Sequence, residues 1–155
     1  MLGAALASAA ETRLSELAGE TLFAPLAIDD FQWPHDPRRL DYGFGHVRLR
    51  PRDIAKLGEL YLGGGVYRGR RVVSLSFVEQ ATRPQSAGGP PGQAAYGFLW
   101  WTSERPFPHF FAAGYAGQSL TVAPELELVA VATGNEAKLR PGWRNARHAV
   151  LEAFG

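Results

Sequence analysis

Residues 110–133 read Phe110-Phe111-Ala112-Ala113-Gly114-Tyr115-Ala116-Gly117-Gln118-Ser119-Leu120-Thr121-Val122-Ala123-Pro124-Glu125-Leu126-Glu127-Leu128-Val129-Ala130-Val131-Ala132-Thr133. Short apolar, β-branched runs broken by Gly and Pro spell strands, not helices. Residues 110–113, 118–123 and 126–133 are predicted strands, and Pro124-Glu125 a tight hairpin connection between the last two. Just upstream, Tyr96-Gly97-Phe98-Leu99-Trp100-Trp101 is aromatic-rich and predicts another strand.

Outward from this meander the pattern turns helical. Leu2, Leu6, Leu14 and Leu17 recur at near-helical spacing and predict an amphipathic helix over 2–23, interruptible near Gly19 and stopped by Pro25. Residues 26–45, dense in Asp, Pro and Gly, predict a long structured loop of the kind that lines sites. Pro51 and Asp53 mark a helix start. Ile54, Leu57, Leu60 and Tyr61 supply its buried stripe, and Gly63-Gly64-Gly65 ends it. Residues 66–73 read as a short extended turn around Gly69. Ser74 caps a helix running through residue 81, and 83–94 is Pro/Gly-rich loop. Residues 143–154 predict a closing helix with Ala146, Val150 and Phe154 on one face. The order implies an α+β fold: an antiparallel sheet of about three to five strands with helices packed on it. No repeat or linker divides residues 1–155; helices and loops fill about 1–95, strands and the last helix about 96–155.

Composition excludes several function classes. A hydrophobic content of 46% over 155 residues suits a globular protein. The net charge of +1 gives no footprint for nucleic acid. Without cysteine there is no disulfide, thiol catalysis or Cys-ligated metal. No run reaches the ~18 apolar residues of a membrane-spanning helix. Residues 1–10 are alanine-rich, but the first basic residue, Arg13, follows them, unlike a signal peptide.

Three collinear segments carry a resemblance. The first is Leu22-Phe23-Ala24-Pro25-Leu26. The second is Gly43-Phe44-Gly45-His46-Val47-Arg48-Leu49-Arg50-Pro51-Arg52-Asp53-Ile54-Ala55-Lys56-Leu57-Gly58. The third is Tyr96 to Trp101 followed by Ala112 to Glu125. Together they resemble the β-lactamase-related serine hydrolases: class C β-lactamases, penicillin-binding proteins, esterases and 6-aminohexanoate-dimer hydrolases. The resemblance implies attack on an ester, amide or lactam carbonyl by a serine in S-x-x-K. That lysine and a tyrosine in Y-x-N manage the proton. A K-T-G or H-x-G strand forms one wall, with a backbone N–H beyond its glycine in the oxyanion hole. No cofactor is implied.

None of the chain's serines (Ser8, Ser15, Ser74, Ser76, Ser86, Ser103, Ser119) has lysine three residues on, and none of its tyrosines has asparagine two residues on. In the family both motifs lie upstream of the segment matched here. The expectation is therefore a C-terminal portion with an incomplete β-lactamase/transpeptidase-like fold, inactive alone. Its partners would be an upstream N-terminal half and, in the complete protein, a small ester or amide substrate. A non-catalytic binding or regulatory module, or one half of a split enzyme, are the alternatives.

By its anchors, Ala112-Ala113-Gly114 stands in place of H-x-G, so Ala112 removes a cation that could bind a substrate carboxylate. Tyr115 is the candidate oxyanion donor through its backbone N–H. Ala112, Ala113, Gly114, Gly117, Gln118, Trp100, Trp101 and His46 are the candidate substrate-lining residues. Read without the resemblance, Gly114 and Gly117 are strand or bulge glycines. Trp100 and Trp101 should alternate across a strand, one facing the core, and packing is the ordinary reading of both. His46 is read as structural or as cleft-lining. His35, His109 and His148 fit no metal spacing. Asp29, Asp30, Asp36 and Asp41 lack the Ca²⁺-loop pattern, so turn and cap duty is expected of them.

Overall fold

The computed structural model describes residues 2–90, 93–134 and 146–155. The chain forms two compact units, Met1–Asp53 and Ile54–Gly155.

In the first unit the expected long helix is broken. α1 (Leu2–Ala9) and α2 (Leu14–Ala18) are followed by a π turn (Gly19–Phe23) and a 3-10 turn containing Pro25 (Ala24–Leu26). Glu11 takes the left-handed conformation (φ 52°) between the helices. The cause of the break is polar. Asp41, from the distant loop, accepts the N–H of Ser15 at 2.9 Å and pairs with Arg13. It thus caps the first turn of α2 from outside, stabilising a fresh helix start. Leu14 is buried, whereas Leu2 and Leu6 are exposed, so the leucine stripe is not one continuous face. Asp36 accepts the N–H of Leu40, as turn duty requires, whereas Asp30 forms an ion pair with Arg50 instead. A two-residue ribbon joins β1 (Phe31–Gln32) to β2 (Arg48–Leu49), antiparallel. Phe23, Leu26 and Ile28 are buried, with the Phe31 ring 4.7 Å from Phe23.

The second unit is built on a sheet. α3 (Pro51–Leu62) starts at the unit boundary, as its proline and aspartate dictate. Gly64 and Gly65 end it with positive φ. The ribbon β3 (Val66–Tyr67) and β4 (Arg70–Arg71) turns at Arg68-Gly69. Ser74 caps α4 (Leu75–Thr82) by accepting the N–H of Phe77 at 3.2 Å.

Among the described residues the main sheet has six antiparallel strands: β5 (Ser86–Gly89), β6 (Ala94–Tyr96), β7 (Trp101–Ser103), β8 (His109–Ala113), β9 (Ser119–Ala123) and β10 (Leu128–Ala132). They lie in sequence order. That exceeds the expected three to five for two reasons. Residues 86–89, read as loop, pair with β6 despite their glycines. The aromatic run 96–101 is two strands, because Gly97–Trp100 turns back on itself: the Gly97 N–H meets the Trp100 carbonyl at 2.7 Å and Leu99 adopts φ 65°.

Alternation sorts the sheet's side chains. One face carries Trp100, Phe110, Leu120 and Val122 against Ala81 and against Leu57 and Tyr61 of α3. Gly58 permits this approach, since a Cβ there would lie 2.9 Å from Leu120 Cδ1. On the other face Arg147 of α5 (Ala146–Phe154) lies over the Phe111 ring. The expected α5 start at residues 143–145 lies outside the described residues. Its expected apolar face is corrected: Leu151 is buried and Phe154 is 56% exposed.

Candidate active site

β8 ends at Ala113 and passes into an extended Gly114 (φ −121°, ψ 171°). The turn to β9 closes when the Gly114 N–H donates to the Gln118 carbonyl at 2.8 Å. A Cβ on Gly114 would stand 3.2 Å from the Cβ of Gln118, so glycine lets the two sides close. Within the turn Ala116 (φ 61°, ψ 23°) and Gly117 (φ 84°) are both left-handed. Glycine accepts this freely; alanine does so at a cost of about 1 kcal/mol, strain that persists only where its surroundings fix it. The consequence is a side chain turned outward. Tyr115 is 72% exposed, while the whole of β9 beyond it is buried.

The other candidates divide. Ala112 packs against the core cluster on the α3 face. Ala113 pairs with Ser119 and, as the next residue, points to the other face. Gln118 does not hold its amide out to a ligand: its Nε2 donates to the Gly134 carbonyl at 2.7 Å. Trp100 is corrected from substrate lining to packing, 7% exposed with Tyr61 at 4.7 Å and Phe110 at 5.0 Å. Trp101 lies on the opposite face beside Tyr96 and Phe111, half-buried. His46 belongs to the first unit, where it is exposed and clusters with Tyr42 and Phe44 at 5.2 and 5.3 Å. A groove of about 980 Å³, lined by Ser103, Arg105, Arg147, His148 and Glu152 among others, shares no residue with the turn.

His109, expected only to fit no metal spacing, has a defined structural place. The ring is 4% exposed. Nδ1 donates to the Phe107 carbonyl at 2.8 Å, which leaves Nε2 to accept from Arg147 Nη2 at 2.8 Å. The Arg147 guanidinium in turn sits 3.4 Å over the Phe111 ring. Burial pushes the His109 pKa below its ordinary 6.5, and the Arg147 charge pushes the same way; the Phe107 bond and Glu104 oppose them without prevailing. The unfolded chain therefore binds the proton first. His109's contribution to stability is full above 6.5 and is lost as pH falls through the folded value. Asp41 behaves similarly lower down. Burial raises its pKa, but Ser15 and Arg13 together hold it below 3.8. The His109 window opens below 6.5 and the Asp41 window only below 3.8. The melting temperature is expected to fall between pH 7.5 and 5.5, and His109→Gln to flatten that fall. A wild-type melting temperature constant over this range would contradict the arrangement.

A signal for the Gln118–Gly134 bond was present only as a glycine directly after a predicted strand. Nothing in the sequence showed which carbonyl it would offer.

Comparison with known proteins agrees with this architecture. A structure provisionally described as a 6-aminohexanoate-dimer hydrolase from Bacillus anthracis matches with TM-score 0.81 at 21% identity, over 98% of this chain and 39% of that one. One provisionally described as a β-lactamase from Bacteroides dorei DSM 17855 matches with TM-score 0.69 at 14% identity, over 98% and 54%. These likenesses show the fold. In sequence, the 6-aminohexanoate-dimer hydrolase of Paenarthrobacter ureafaciens is 28% identical over 128 residues, 77% of this chain. The chain spans about a third of that relative's length, 33% of it covered. The family model described as Beta-lactamase matches residues 1–154, through both units and the β8–β9 turn alike, so the chain belongs to the β-lactamase family.

Proposed function

We propose that the chain supplies the oxyanion-side wall of a serine hydrolase that cleaves an ester, amide or lactam through an acyl-enzyme. The observation that carries this is the β8–β9 turn, where two successive left-handed residues follow a tyrosine turned out of the sheet. In the complete protein a serine Oγ from S-x-x-K attacks the carbonyl, and the lysine and the Y-x-N tyrosine relay its proton to the leaving group. Water then releases the acyl group. The Tyr115 N–H serves as one of two fixed donors to the oxyanion. Ala112 brings no cation, so neutral esters and amides suit this wall better than substrates held by a carboxylate. The curated relative is named for an aminohexanoate dimer, itself a carboxylate, so its name supports the hydrolase chemistry and not the neutral-substrate preference.

The chain alone carries no S-x-x-K. It is expected to form no covalent adduct with a fluorophosphonate probe, by intact mass. Supplied with a polypeptide bearing S-x-x-K and Y-x-N, the adduct should form on that polypeptide's serine. Stoichiometric labelling of this chain would sink the reading. No labelling in the pair would favour a non-catalytic module.

A further inference from the structure

We propose that Gln118 is a positioning residue that locks the active-site turn to the backbone leaving β10. Only its catalytic consequence rests on the function proposed above; the lock stands on geometry. The Gln118 side chain spans from the turn to the Gly134 carbonyl, with its Nε2 at 2.7 Å. From the other side, Gly134 passes directly against the turn. A Cβ on it would collide with the Ala116 carbonyl oxygen and stand 3.3 Å from the Gly117 Cα, so only bare backbone fits. The Gln118 main chain is fixed as well, its carbonyl accepting the Gly114 N–H at 2.8 Å. One residue thus closes the turn through its backbone and ties it to a neighbouring segment through its side chain.

This supplies what the strained residue needs. Ala116 at φ 61° would relax if the turn were held at its two ends alone. The bond and the contact at Gly134 bracket Ala116 and Gly117 on one side of Tyr115, and the Gly114–Gln118 main-chain bond fixes Gly114 on the other, so the peptide carrying the Tyr115 N–H is held from both ends. Gln118 acts through the turn and does not touch the reacting atoms. A preorganised donor is worth more than a mobile one because it needs no reorganisation when charge develops.

The test is amide hydrogen exchange on this chain. Gln118→Met keeps the length of the side chain and loses the donor. Exchange at Tyr115, Ala116 and Gly117 should rise roughly fivefold, the factor expected for one hydrogen bond, with the amides of β8 and β9 changed less than twofold. Gly134→Ala should loosen the same three amides by displacing the opposing backbone. Unchanged exchange at the turn in Gln118→Met overturns the proposal, and so does a rise no larger there than across β8 and β9. With the S-x-x-K-bearing partner present, Gln118→Met should lower kcat and leave KM unchanged. If the turn loosens while kcat holds, the lock survives and the oxyanion role of Tyr115 falls.

Discussion

Trp100→Ala is expected to cost about 3–5 kcal/mol of folding free energy, the range for removing a large aromatic from a packed core. For a chain of this size that is roughly 6–20 °C in melting temperature. The ring is 7% exposed and lies between Tyr61 of α3 and Phe110 of β8, edge-on to the latter at 82°. Truncation leaves a hole bounded by a helix and a sheet, neither of which can collapse into it without shifting the other. Trp101→Ala removes an identical side chain one residue later, half-buried and on the opposite face. Its loss should be clearly smaller. Urea denaturation followed by far-ultraviolet circular dichroism measures both. Equal losses would mean that the two faces are not packed as unequally as the structure shows.

That pair also shows what the sequence could tell. Alternation assigned one tryptophan to the core without saying which, because period two is symmetric until a neighbour breaks it. Here Tyr61 of α3 does so. Local chemistry was legible wherever the cause lay within a few residues. Pro51 and Asp53 opened α3, Ser74 capped α4, and Pro124 turned β9 into β10, although through residues 124–127 and not the expected Pro124-Glu125 pair alone. It failed where the cause was distant. α2 begins afresh because Asp41, 26 residues from Ser15, caps it. β5 exists because β6 offers it a ladder, against the low strand propensity of its glycines. In the candidate site the residues of the turn were legible as a motif. The roles of Trp100 and Gln118 were not, since each is decided by a partner far along the chain, Tyr61 in one case and Gly134 in the other.

Tyr115→Pro separates backbone from side chain at the proposed oxyanion donor. In the assembled hydrolase it is expected to lower kcat about 10²–10³-fold, the cost of deleting one oxyanion-hole donor, or roughly 3–4 kcal/mol of transition-state stabilisation. The backbone conformation admits the change. Tyr115 opens a 3-10 turn, a first position that suits proline. Gly114 before it is already extended at ψ 171°, the region that a following proline imposes. Turnover should therefore collapse in a variant whose backbone conformation admits the proline, with folding at the assay temperature checked by its own melting curve. Tyr115→Ala keeps the N–H and discards the exposed phenol, and its kcat should stay within about tenfold of wild type. The pair of rates decides between two mechanisms. Full activity in Tyr115→Pro removes the N–H from the mechanism. A loss in Tyr115→Ala as deep as in Tyr115→Pro assigns the effect to the phenol instead, since the backbone donor survives in one variant and is absent from the other.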